Sequence, residues 1–358
     1  MLRSLLVVLA LNAAGALLAA DPPAFIHPGM LHSAADLAFM KERVAKGEQP
    51  WAGAFELLQR EGVSGMAWVP KPVAAVIRGP YNKPDIGSSA MMKDSAAAYS
   101  QALQWAITGD QAHAAKAIAI LDAWSGVLAS IDGPDRQLLA GITAYKFCNA
   151  AEILLHTPSG WDAQAATRLR TMLHGIYLPL IWDFKPAANG NWGAAMINSM
   201  LCIAVLSDDH PLFQRAVDFY LHGDGNGSIA HYVMPSGQCQ ESTRDQAHTQ
   251  LGLGMLAAAC ETAWKQGVDL YGAEGNRLMA GIEYTAKYNL GFEVPCQGTI
   301  SALYRGKFRP IYEKVYQHYA VDGHLAMPFT RQVIERNRPE GFSPDHESWG
   351  TLTALRVP

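Results

Sequence analysis

The sequence predicts an all-α protein, built as an incomplete α/α toroid of antiparallel helical hairpins. Three observations lead there. Apolar residues recur at helical spacing along most of the chain, turn-forming clusters interrupt them at short intervals, and strand-like alternation is scarce. Helices joined by short turns favour antiparallel neighbours, and a ring of such hairpins leaves a groove across one end.

The first element is not part of the ring. Arg3 precedes an apolar run over residues 5–18, and Ala19–Ala20 offers small residues before Asp21. That is the pattern of a secretory signal peptide over residues 1–20, which implies a periplasmic or secreted protein. The run is shorter than the roughly 20 residues of a spanning helix. No later segment reads as long and apolar enough to span, so no membrane association is expected after cleavage. Residues 21–358 read as a single domain.

Within it, Ser33–Ala34–Ala35–Asp36 has the form of a capping box, and Leu37, Met40 and Val44 follow at helical spacing. Further helical segments are expected at 51–61, 92–108, 111–129, 136–155, 162–182, 193–206, 209–221, 243–266, 275–290 and 308–320. The breaks carry turn chemistry, as in Thr108–Gly109–Asp110, Asp132–Gly133–Pro134 and Thr157–Pro158–Ser159–Gly160. Gly252 and Gly254 suit close helix packing. Two longer stretches, 62–91 and 223–242, read as irregular, and loops of that length usually carry function.

Composition narrows the function. Hydrophobic residues make up 49% and charged residues 17%, which indicates a large core and little disorder. A net charge of −4 gives no electrostatic case for nucleic acid, so an anionic partner would need a local basic cleft. The five cysteines lack the close pairs of a zinc site, and Cys239 and Cys296 are the two in loop-like sequence. There is no His-Glu-x-x-His, no phosphate loop and no dinucleotide fingerprint, so neither a metal nor an organic cofactor is expected. Asp224–Gly225–Asn226–Gly227–Ser228 imitates a calcium loop but has Pro235 where the closing Glu belongs, and a turn explains it better.

Three clusters could carry chemistry. Asn189–Gly190–Asn191–Trp192–Gly193 precedes an apolar helix. Its glycines would allow close backbone approach to a ligand, its amides donate and accept, and Trp192 could stack on a sugar. A helix-capping turn with Trp192 in the core is the competing explanation. The polar run from Gln240 to Gln246, followed by His248, places Glu241, Arg244 and His248 at spacings that would share one helix face. A Ser242–Asp245 capping box would explain part of it. The third stretch, Ser301 to Tyr312, sets Tyr304 among Arg305, Lys307 and Arg309; nearby cations favour an ionised phenol, while an exposed basic loop is the plainer alternative.

The opening His27–Pro28–Gly29–Met30–Leu31, with Lys46–Gly47–Glu48–Gln49–Pro50–Trp51, resembles the start of alginate-lyase-like proteins. Asn189–Gly190–Asn191–Trp192 and Gln240–Glu241–Ser242–Thr243–Arg244–Asp245–Gln246–Ala247–His248 resemble the signatures of polysaccharide lyase family 38, and the likeness runs from about His27 to Tyr319. It implies a metal-free lyase acting on a 1,4-linked uronic-acid polymer such as alginate or glucuronan. By that resemblance Asn191 neutralises the substrate carboxylate, His248 is a second polar partner or base, Tyr304 transfers the proton, and Arg244 or Arg305 polarises or binds substrate. Asn189, Trp192, Gln240, Glu241, Arg305 and Arg309 would make up the substrate contacts. Trp192 departs from related family 5 enzymes, where His follows the paired Asn residues.

β-Elimination asks for donors on the carboxylate, a base at C5–H and an acid at O4. In glucuronate and mannuronate H5 and O4 leave from one face, so a single phenol can serve both ends. Two rival classes are a toroid glycoside hydrolase using carboxylates such as Glu241, Asp245 and Glu283, and a non-catalytic glycan-binding protein.

Overall fold

Ser33 caps the first helix as its sequence predicts: its hydroxyl accepts the Asp36 N–H, and the Asp36 carboxylate accepts the Ser33 N–H. The computed structural model describes residues 23–357. The expected signal peptide lies outside the described residues.

From that cap, α1 (Ala34–Ala45), α2 (Trp51–Arg60), α3 (Ser88–Thr108), α4 (Gln111–Val127) and α5 (Arg136–Leu155) follow in order. α6 (Ala163–Met172), α7 (Leu178–Ile181), α8 (Gly190–Leu206), α9 (His210–His222) and α10 (Ile229–Tyr232) lead to α11 (Gln246–Lys265) and α12 (Ala273–Asn289). The chain ends with α13 (Tyr312–Tyr316), α14 (Pro328–Asn337) and α15 (Gly350–Thr353).

The architecture is an incomplete α/α toroid. Its inner layer is α3, α5, α8 and α11, each packed against the next, and α4, α6, α9 and α12 return outside them. Side-chain pairs show that the inner helices are parallel. Ser199 donates to the Gly141 carbonyl at 2.6 Å, and Asn149 approaches the Cys202 sulfur at 3.7 Å, so α5 and α8 rise together. Asn198 meets Met255, and Cys202 meets Thr262, so α8 and α11 do too. Gly141 makes this possible: a Cβ there would lie 2.9 Å from Ala195. Met92 near the start of α3 and Leu138 in the first turn of α5 line the same hollow, so all four inner helices start at one end of the ring.

Burial explains why these helices are so apolar. α5 is 20 residues long and holds an 18-residue window of mean hydropathy 1.3, so the expectation that no segment past residue 20 could span a membrane fails on length and composition. That window is 94% buried inside the protein, between α3 and α8. An inner helix of a ring is apolar on every side. One contiguous core joins Met30 to Leu352.

Other expectations need correction. The stretch 62–91 is not wholly irregular: β1 (Ala75–Arg78) pairs antiparallel with β2 (Asp85–Ile86) and parallel with β3 (Ser130–Asp132). Gly133 lets these strands close up, since a Cβ there would overlap the Arg78 carbonyl. The stretch 162–182 is interrupted by a wider turn at 173–177, and 308–320 is the short α13 followed by another at 317–322. α14 was not foreseen; it opens on Pro328, and Glu283 caps it by accepting the Phe329 and Thr330 N–H groups. All five cysteines are unpaired, Cys239 buried and Cys296 exposed.

Candidate active-site cleft

The starts of the inner helices build a site. α8 begins earlier than its apolar pattern suggested, so Asn191 and Trp192 sit in its first turn instead of preceding it. The Gly190 N–H donates to Gln240 Oε1 at 2.9 Å, and the Asn191 N–H donates to Glu241 Oε2 at 2.9 Å. Asn191 Nδ2 also donates to both Glu241 oxygens, at 2.7 and 2.8 Å. Part of the polar run thus caps a neighbouring helix, satisfying N–H groups that have no partner within it. Gly190 serves packing and not ligand approach, because a Cβ would overlap Tyr232 and the Asn226 carbonyl.

α11 starts later than expected, at Gln246, with Asp245 and not Ser242 as its cap. Arg244 therefore lies before the helix and does not share a helical face with His248. Asp245 Oδ1 accepts the His248 N–H at 2.8 Å, and Oδ2 lies 2.6 Å from His248 Nδ1. That contact assigns the proton to Nδ1 and leaves Nε2 free to accept or donate. Arg244 Nη1 donates to Glu241 Oε1 at 2.9 Å, so one buried carboxylate links Asn191 to Arg244. Burial pushes the Glu241 carboxyl above its ordinary range, opposed by the Asn191 donors and by Arg244 and His248.

These residues open onto a cleft of about 490 Å³. Asn189, Trp192, Arg244 and His248 form one wall, and Arg78, Tyr81 and Asn82 from the β1–β2 hairpin form the other. Asp135 and Leu138 at the start of α5, with Pro344 and Asp345 from the C-terminal segment, complete it. Arg78 Nε donates to Asn82 Oδ1 at 3.0 Å, while its Nη1 is buried without a partner. Burial lowers the Arg78 pKa, opposed by Asp345, Asp135 and Asp85. Arg78 nonetheless lines the cleft, where a guanidinium suits an anion. The converging helix N-termini add positive potential at the same end. The cleft thus sets two guanidiniums, Arg78 and Arg244, against two carboxylates, Asp135 and Asp345, in a protein whose net charge is −4.

Some expected residues stand elsewhere. Asn191 is fully buried and does not line the cleft; both its donors go to Glu241, and its Oδ1 is unpartnered. Gln240 and Glu241 are occupied as caps. Arg305 stacks on Tyr288 at 4.0 Å and donates to the Tyr288 and Phe292 carbonyls, so it braces its own loop. Arg309 lines a separate hollow with Phe308, Tyr312 and Glu340. Tyr304 is 49% exposed with φ +63° and is not a lining residue. Its neighbour Leu303 accepts the Gln246 N–H at 3.0 Å, which ties this loop to the start of the helix carrying His248. The carboxylates expected for a hydrolase are engaged, Glu241 and Asp245 as described and Glu283 on α14, while Asp135 and Asp345, which line the cleft, were not among them.

Arg78, Tyr81, Asn82, Asp135 and Asp345 were not among the residues expected at the site. The first three fall in a stretch whose length already suggested function. Tyr81 and Asn82 both adopt positive φ, at 54° and 59°, an uncommon backbone for residues with a Cβ. Asp345 carried no local signal.

No curated protein sequence matches the chain. Among solved structures, an alginate lyase from Bacteroides ovatus superposes with a TM-score of 0.70 at 13% identity, covering 92% of this chain and 100% of that one. Alginate lyase A1-III from Sphingomonas species A1 superposes at 0.66 with 15% identity, covering 92% and 96%. A variant of A1-III complexed with a tetrasaccharide gives 0.67 at 15% identity, covering 90% and 94%. These likenesses establish the toroid fold. Residues 77–293, more than half the chain, match the alginate lyase family profile, from the cleft hairpin to just past α12. The chain belongs to the alginate lyase family and is a polysaccharide lyase.

Proposed function

We propose that the cleft binds a 1,4-linked polyuronate, polymannuronate or glucuronan, and cleaves it by syn β-elimination to leave a 4,5-unsaturated uronate end. The observation that carries this is His248, oriented by Asp245, beside Arg244 where parallel helices begin. Arg244, Arg78 and Asn189 supply donors for the carboxylate at C5. Abstraction of the C5 proton spreads charge onto that group, and donors already aimed there stabilise the enolate more than the ground state. The C5–H bond breaks, C4=C5 forms, and the C4–O4 bond breaks as O4 takes a proton. Asn191 acts from behind the wall by holding Glu241, which in turn holds Arg244.

The sequence resemblance assigns the proton carrier to Tyr304, although its side chain stands outside the cleft lining. Its loop is pinned to α11 through the Leu303–Gln246 hydrogen bond, in fixed relation to His248. A second reading assigns the step to Tyr81, which lines the cleft directly but is 87% exposed at a hairpin tip. The membership in polysaccharide lyase family 38 that the Asn189 and Gln240 motifs suggest, and export directed by residues 1–20, belong to the same proposal. The solved A1-III complex with a tetrasaccharide supports an oligosaccharide-sized occupant.

The test is a panel of polymannuronate, polyguluronate, glucuronan and hyaluronan, followed by the ultraviolet absorbance of the unsaturated product and by N-terminal sequencing of the exported protein. Turnover of polymannuronate or glucuronan well above polyguluronate is expected. Preference for polyguluronate, whose H5 and O4 lie on opposite faces, overturns the syn assignment.

A further inference from the structure

The end of the ring opposite the cleft gathers a second set of chemically capable side chains. Near its C-terminus α5 presents Glu152, with His156 one turn on, and the N-terminal segment lays His27 across them. His27 Nδ1 is 2.7 Å from Glu152 Oε1, and His156 Nε2 is 3.7 Å from Glu152 Oε2. The two imidazoles stack with centroids 4.5 Å apart and planes 11° from parallel. One ligand atom from each of the three residues lies within 4.8 Å of the others.

Three features distinguish this from an ordinary histidine–carboxylate clasp. Glu152 is 2% exposed; its Oε1 takes the Gly29 N–H at 3.1 Å, yet its Oε2 is buried with no hydrogen-bond partner. A buried carboxylate oxygen left without a donor is costly, and it faces His156. His27 Nε2 lies 3.2 Å from Asp208 Oδ1. A ligating histidine characteristically donates its second ring N–H to a carboxylate in this way, leaving the other nitrogen for the ion. Finally, the cluster sits where α5 and α8 end, so the helix dipoles favour positive charge.

We propose that His27, Glu152 and His156 form a zinc-type site, with Asp208 orienting His27, that rivets the N-terminal segment across the end of the ring opposite the cleft. Two imidazole nitrogens and a carboxylate oxygen suit Zn²⁺, with water in the fourth position. Tetrahedral ligands at ordinary zinc distances stand about 3.3 Å apart; the separations here are 2.7 Å to Glu152 Oε1 and 3.7 Å to Glu152 Oε2, and on binding the imidazoles turn out of their parallel stack so that both lone pairs meet the ion. On binding, the ion replaces a proton at His27 Nδ1, which passes to solvent. The segment it would secure is otherwise held by Gln266, whose amide exchanges hydrogen bonds of 2.9 Å with both Ile26 N–H and Ile26 C=O, and by Phe25 stacked on His210. Residue order carries no hint of a metal because His27 lies far along the chain from the other two.

The test uses the mature protein, freed of metal by a chelator and titrated with Zn²⁺ against a chromophoric competitor. Co²⁺ in its place should give the visible bands of a low-symmetry site. One equivalent should bind, and at about a hundredfold excess over Kd it should raise Tm by several degrees. Glu152→Gln and His156→Ala should each weaken binding at least tenfold, and Asp208→Asn about tenfold. Turnover of substrate should be the same with and without the ion. Absence of stoichiometric binding, or undiminished binding by the ligand variants, overturns the proposal. If Glu152→Gln fails to fold, His156→Gln, at a partly exposed position, decides the matter in the same way.

Discussion

The two ends of the toroid are made from the same helices and have opposite character. Where α5, α8 and α11 begin, Arg78, Arg244 and His248 converge on an open cleft. Where α5 and α8 end, two histidines and two carboxylates meet beneath the N-terminal segment. From Leu138 to Glu152 the distance along α5 is only roughly 20 Å at the helical rise. The contrast teaches that parallel packing of the inner helices polarises the ring: one end suits an anion and the other a cation, before any side chain is chosen. Substitutions at the cleft should therefore change kinetics, and substitutions at the opposite end should change stability.

The largest expected effect is at the proposed proton carrier. Tyr304→Phe should lower kcat by about 10³-fold with substrate binding largely kept, and Tyr81→Phe by no more than about tenfold. Steady-state kinetics on the preferred polymer check this, and a reversed order transfers the role to Tyr81. Next comes the Asp245–His248 pair: His248→Ala should cost about 10²-fold in kcat, and Asp245→Asn should cost less while altering the pH profile of the rate. A smaller effect is expected at Arg78, where Arg78→Ala should raise KM about tenfold with kcat nearly unchanged, because it removes one charge-assisted donor. A fall in kcat equal to that in kcat/KM would instead place Arg78 at the transition state.

The smallest effect compares two buried histidines, one toward each end. His32, which hydrogen-bonds Tyr99 at 2.6 Å, and His346, beside the cleft residue Asp345, are both lowered to about 3, chiefly by burial. The unfolded chain binds protons at these sites from about pH 6.5 downward while the folded chain does not, so stability falls as pH drops from there toward 3. Tm measured across that range should decline, and His346→Gln should flatten the slope. A slope unchanged by the substitution removes His346 from the account.

Much of the ring was legible from periodicity. α5 was placed at its observed bounds, and the Ser33–Asp36 capping box was plain because both partners lie within one turn. The boundaries that moved were those set by distant residues. α8 starts at Gly190 because Gln240 and Glu241 reach across to cap it, and α11 starts at Gln246 because Asp245 turns its carboxylate to His248 and Leu303 receives the first N–H. The Gln240–His248 run stood out as unusual, but its division of labour did not: Glu241 faces inward, while Arg244 and His248 face the cleft.

From residue order alone came the class of fold, the polar clusters worth testing, and the lyase resemblance that the family match supports at the level of alginate lyases. These rest on helical periodicity and on motifs contiguous in the chain. Only the tertiary structure brought Arg78 and Asp345 to the cleft, buried Asn191, turned Arg305 and Arg309 away, and joined His27 to Glu152. Such choices depend on which helix faces which, and that follows from packing an entire ring at once, where each side chain's neighbours lie tens to hundreds of residues away.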